Sequence, residues 1–130
     1  MRRIIWTAAA TTMACALSHL AVAEDAAAPL TPKDAGQRYG QALGALEVCH
    51  GSKLTAKADG LSQSYSGAEL EAFKAAAAGV FKAWNGVKNC VNAADPNQCK
   101  IIMDKSCFAA EAEIGATGKA LAGLVDFAKH

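Results

Sequence analysis

Cys90 and Cys99 stand on either side of an Asp95-Pro96 turn, and Cys107 follows further along the same segment as Cys99. Both segments joined by this turn repeat apolar residues at helical steps, so the cysteines restrict which helices can be neighbours. In the first, Leu70, Phe73, Ala77, Val80, Phe81, Trp84, Val87 and Val91 recur at steps of three and four, the spacing of one helical face. Ser66 with Glu69 predicts a capping box at its start, each side chain closing a free backbone N–H. Gly79 and Gly86 weaken this helix by about 1 kcal/mol each relative to alanine, which the periodicity outweighs. In the second, Asp95-Pro96-Asn97-Gln98 supplies a cap, a proline at the first helical position and a glutamine able to complete a box. Cys99, Ile102, Met103, Cys107, Ala110 and Ile114 form its inner face, and Ile101 with Phe108 forms a second apolar ridge that predicts a further neighbour. So short a turn predicts an antiparallel helical hairpin from Ser66 to Ile114.

An even number of cysteines in a short exported chain reads as disulfides. Cys49, Cys90, Cys99 and Cys107 are the four outside the N-terminal segment, and four allow three pairings. Cys99 and Cys107 share one helix, about 12 Å apart along its axis. A disulfide needs its Cα atoms within ~7 Å, so those two do not pair. In the hairpin Cys90 lies level with Cys99, and Cys107 is further down by that same distance of about 12 Å. The predicted bridges are therefore Cys90–Cys99 and Cys49–Cys107, each contributing about 2–4 kcal/mol.

Residues 1–23 carry the pattern of a secretory signal. Arg2 and Arg3 open it, Ile4 to Leu17 is mostly apolar, and Ala21-Val22-Ala23 is a small-x-small cleavage pattern before Glu24. Thr7, Thr11, Thr12, Ser18 and His19 interrupt the run before it reaches the ~18 apolar residues of a membrane anchor. The arginine pair lacks twin-arginine flanks, and Thr12 stands where a lipobox before Cys15 requires an apolar residue. General secretion to the periplasm or the exterior is the expectation, with no membrane span after cleavage. Cleavage removes two of the 13 basic residues and no acidic one, leaving 11 against 12 and a net charge near −1. No basic patch stands out, which excludes nucleic acid and electrostatic docking to anionic lipid from the expected partners.

Residues 24–30 are alanine-rich and aperiodic and predict a flexible N-terminus, leaving 31–130 as a single all-α domain. Thr31-Pro32 caps the next helix, Tyr39, Leu43, Leu46 and Cys49 give its apolar face, and Gly51 ends it. Gly36, Gly40 and Gly44 recur every four residues on this helix. Such spacing lets another backbone approach closely. It predicts packing against the Ala75 to Gly79 stretch, and otherwise a groove for a ligand or partner helix. Ser52 to Ser64 fits a shorter helix, with Leu54, Ala58, Leu61 and Tyr65 at helical steps and Gly60 against it. After Gly115-Ala116-Thr117-Gly118, the residues Leu121, Leu124, Val125 and Ala128 predict a last short helix. Of the chain, 52% is apolar but only 6% aromatic, so a core rich in alanine will lean on its disulfides. The fold class is an all-α bundle of four to five helices around the hairpin.

The chemistry is sparse. Outside the signal only His50 and His130 occur, and His50 follows Cys49, which the pairing has already placed in a bridge. That leaves no thiolate nucleophile for a Cys-His arrangement. No phosphate-binding glycine loop follows a strand. The expectation is a protein that is not an enzyme, carries no cofactor and binds an unknown protein or a small apolar ligand. The alternative is soft-metal chemistry: Cys99, Met103 and Cys107 run along one helix face, and two thiols with a thioether suit Cu(I). Oxidation of both cysteines removes that capacity and makes Met103 core filling. Cys49-His50 resembles the end of a haem-attachment motif, but Leu46 replaces its first cysteine. Trp84 belongs to the core stripe, and Phe127 is the aromatic expected at an exposed contact.

Overall fold

The computed structural model describes residues 29–128. The signal at 1–23, residues 24–28 of the flexible N-terminus and His130 lie outside the described residues. Helix α1 (Pro32–Val48) starts where Thr31 and Pro32 direct it, the Thr31 hydroxyl accepting a hydrogen bond from the Asp34 N–H. A two-residue strand β1 (Lys53–Leu54), helix α2 (Ala56–Leu61) and a 3-10 turn at Ser62–Ser64 lead into α3 (Gly67–Lys88). After the Asp95-Pro96 turn come α4 (Pro96–Ile114) and a second short strand, β2 (Val125–Asp126).

Both long arms begin at the predicted residues, with different caps. At α4 the Asp95 carboxylate accepts from the Gln98 N–H, and the Gln98 amide oxygen accepts from the N–H of Ala94, one residue ahead of the cap. At α3 the Ser66 side chain makes no capping bond, so the predicted box is not formed there. The end of α3 is a Schellman motif. Val91 N–H reaches back to the Gly86 carbonyl and Cys90 N–H to that of Val87, closing orphan carbonyls of the last turn. Cys90 holds the left-handed position of this motif, at φ 52°, where glycine is usual and an L side chain costs about 1–2 kcal/mol. Once the bridge is removed, Cys90→Gly with Cys99→Ala is therefore expected to be about 1 kcal/mol more stable than the double alanine variant. Equal urea midpoints for the two would refute that. Val91, assigned above to the inner stripe, lies beyond the helix end and is 70% exposed.

The strongest helix pair is α1 with α3, while α3 and α4 touch only slightly. The hairpin thus exists in connection and in its disulfide, but its arms do not pack as a pair. The cause is side-chain size, since helices approach closest where residues are smallest. A Cβ on Gly36 would stand 2.2 Å from the Phe73 carbonyl oxygen, and one on Gly40 2.3 Å from that of Ala77. A Cβ on Gly44 would strike the Trp84 ring. The stripe is filled by α3 and leaves no open groove at these positions; the partner helix is the chain's own.

Two bodies of buried side chains result. At one end Phe73 is fully buried between Tyr39 and Tyr65, with ring centroids 5.4 and 5.3 Å away. Burying such a ring contributes about 1.5–3 kcal/mol. Towards the other end Ala42, Ala45, Val48, Cys49, Ala58, Trp84, Ala110, Ile114, Leu124 and Val125 form one cluster. Helix α4 is held on α1 by the Cys49–Cys107 bridge and by Glu113, whose carboxylate accepts from Arg38 and Gln41 at 2.6 and 2.7 Å.

The predicted last helix does not form. Residues 115–124 instead fold back over the end of α4. The N–H groups of Lys119, Ala120, Leu121 and Leu124 donate to the carbonyls of Ala112, Glu113 and Ile114, groups that a helix end leaves without partners. Those N–H groups are no longer free for a helix of their own. The Thr55 hydroxyl then donates to the Gly123 carbonyl, and the Leu124 carbonyl accepts from the Thr55 N–H. Val125 pairs with Leu54 and Asp126 with Lys53, antiparallel. This pairing also takes Leu54 out of the helix predicted from Ser52, which begins only at Ala56. The described chain is mostly helical, with four α-helices, two disulfides and one small sheet.

Candidate functional site

Where the end of α1 meets α4, the bridge between them leaves a pocket of about 710 Å³. Its wall is sulfur and hydrocarbon: Val48, Met103, Phe108, Phe127 and the half-cystines of Cys49, Cys99 and Cys107. His50, Lys100, Asp104 and Glu111 stand around it, and all four are exposed. Lys100 Nζ lies 2.5 Å from the Asp104 carboxylate, one helical turn on. An exposed pair of this kind contributes roughly 0.3–0.5 kcal/mol, and here each charge largely cancels the other. Glu111 lies outside that pair, so the exposed rim keeps one acidic side chain beyond it. The pocket's volume falls within the roughly 300–1,000 Å³ of small-molecule sites, which are also mostly apolar with a few polar groups.

The sequence rules that predicted the bridges place both sulfur pairs correctly. Cys90–Cys99 and Cys49–Cys107 are the disulfides present, with Cα atoms 5.2 and 5.6 Å apart. Cys99 and Cys107 accordingly lie in different bridges, and Cys99, Met103 and Cys107 do not stand as two thiols and a thioether in this oxidised state. Met103 Sδ does touch Cys99 Sγ, at 3.8 Å. Among the described residues no three His, Cys, Asp or Glu side chains converge as a metal-binding group. Gly36, Gly40 and Gly44 are buried in the α1–α3 seam, away from this pocket.

Two aromatic assignments change. Phe127, expected at an exposed contact, is partly buried against the main cluster and lines the pocket. β2 draws it inward by pairing the residues just before it. Phe108, read as a ridge facing another neighbour, is 76% exposed, and Ile101 on the same ridge is 51% exposed. Within the described residues that ridge has no covering neighbour. The pocket itself was missed because its two walls come from distant parts of the chain. The available signal was the Cys49–Cys107 pairing, which sets Val48 and His50 opposite the middle of α4. No family model, characterised protein or solved structure matches the chain.

Proposed function

We propose that this chain is exported through its N-terminal signal to the periplasm or the exterior and acts there without catalysis, by binding a small apolar ligand in the α1–α4 pocket. The observation that carries the reading is the composition of that pocket, with an apolar wall ending in the exposed ring of Phe108 and charged groups kept to its exposed rim, where Lys100 pairs with Asp104. Two disulfides in so short a chain support an oxidising destination. Among the described residues no helix is long and apolar enough to cross a membrane.

The test uses protein matured in an exporting host, whose N-terminus is expected at Glu24. Titration with the neutral dye N-phenylnaphthylamine is expected to give saturable fluorescence enhancement with one site per chain. Phe108→Ala is expected to weaken it at least about fivefold, as for truncation of an aromatic anchor. Ile101→Ala, on the same ridge but outside the pocket, is expected to leave it unchanged. Because both side chains are exposed, neither variant should shift stability by more than about 0.5 kcal/mol. Enhancement that never saturates, or equal effects of the two variants, refutes the reading.

A further inference from the structure

The two bridges differ in how a reductant reaches them. Cys49 is 5% exposed and belongs to the main buried cluster, so its bridge is shielded at the α1 end, while Cys107 is partly exposed and both half-cystines line the α1–α4 pocket. Cys90 and Cys99 are both partly exposed, and their bridge joins the turn after α3 to the first turn of α4. A dithiol can therefore attack it without unfolding the chain. Helix α4 meanwhile stays tethered to α1 through Cys107 and Glu113.

Opening that bridge leaves three sulfurs together. Cys90 and Cys99 have Cα atoms 5.2 Å apart, and Met103 Sδ is already 3.8 Å from Cys99 Sγ. In a trigonal site with metal–thiolate bonds of about 2.3 Å, neighbouring sulfurs stand about 4 Å apart. The thioether thus already stands at that spacing from Cys99, with Cys90 joined to the same sulfur in the closed bridge. Two thiolates and a thioether are soft ligands, which select Cu(I).

We propose that Cys90, Cys99 and Met103 form a Cu(I) site that is masked by the Cys90–Cys99 disulfide and unmasked by a dithiol reductant. The dithiol supplies two electrons and two protons, becomes a disulfide itself and leaves two thiols on the protein. Binding one Cu(I) then displaces the two thiol protons to solvent. Cys99 and Met103 also line the α1–α4 pocket, but the copper site does not require the ligand proposed for it. It also differs from the set read off one helix face, because Cys107 is held by Cys49 and Cys90 takes its place.

The test starts from full-length protein matured with both disulfides. Brief treatment with dithiothreitol without denaturant, then alkylation and peptide mapping, is expected to label Cys90 and Cys99 while Cys49 and Cys107 stay joined. Cu(I) presented anaerobically as its bicinchoninate complex is then expected to transfer at one ion per chain, and not to the untreated protein. Met103→Leu is expected to weaken transfer at least about tenfold, the lower end of what loss of a supporting group costs a metal site. Its circular dichroism and the labelling of Cys90 and Cys99 should not change. Cys90→Ser, a second variant outside the helices, is expected to abolish stoichiometric transfer. Labelling of Cys49 or Cys107 first, no stoichiometric uptake after reduction, or wild-type affinity in Met103→Leu would overturn the proposal.

Discussion

Replacing Cys49 and Cys107 together by alanine is expected to lower the thermal midpoint by roughly 15–30 °C, at about 4–8 °C per kcal/mol for a domain of this size. The bridge closes a separation of 58 residues, for which loop-closure entropy gives about 4 kcal/mol. A domain's total is often only about 5–15 kcal/mol. The same double substitution at Cys90 and Cys99 opens a separation of 9 residues. It should cost about 2.5 kcal/mol, a drop of roughly 10–20 °C. The order has a structural reason beyond entropy. The long bridge, with the Glu113 cluster, is what keeps α4 on α1, whereas the ends joined by the short bridge are also held by the caps of α3 and α4. Thermal unfolding followed by circular dichroism checks this, and a larger drop for the Cys90/Cys99 variant would contradict it.

Gly40→Ala is expected to destabilise the protein by about 1–2 kcal/mol, the clash outweighing the roughly 1 kcal/mol by which alanine favours helix over glycine. The added methyl would lie 2.3 Å from the Ala77 carbonyl oxygen and 2.9 Å from two further backbone atoms of that residue. Backbone cannot turn aside as a side chain can, so α1 and α3 must separate along the seam, and overpacking of this kind costs about 1–3 kcal/mol. Gly79→Ala provides the contrast. Its Cβ would meet nothing within 4 Å, so it is expected to gain about 0.5–1 kcal/mol. Urea denaturation of the two variants should give midpoint shifts of opposite sign. A neutral or stabilising Gly40→Ala would mean that the seam is looser than these distances.

What could be seen in the sequence was what local geometry determines. Helical rise alone forbids a Cys99–Cys107 bond and sets Cys90 beside Cys99, and those are the bridges present. Thr31-Pro32 and Asp95-Pro96 start their helices because the cap lies within three residues of the groups it closes. Leu121, Leu124 and Val125 failed as a helix for a complementary reason. Their spacing suits one, but the carbonyls that the return segment meets belong to Ala112, Glu113 and Ile114, and no window of local sequence contains that encounter. The hairpin was overrated because its apolar stripes are locally complete, while the tighter pairing of α1 with α3 depends on glycines and alanines that look weak to any count of apolar residues. For the pocket, the Cys99–Met103 wall was legible as one helix face. Val48, His50 and Phe127 join it only through a bridge and a strand pairing formed at long range.

Among the described residues Leu124 and Val125 are two of the four largest fully buried side chains, the last of the segment that returns over α4 and the first of β2. A polypeptide delivered from its amino end, by a ribosome or through a membrane pore, cannot seal its interior until position 125 has emerged. Up to that moment the cluster around Ala58, Ala110 and Ile114 lacks two of its largest members, even where the seam of α1 with α3 has already closed.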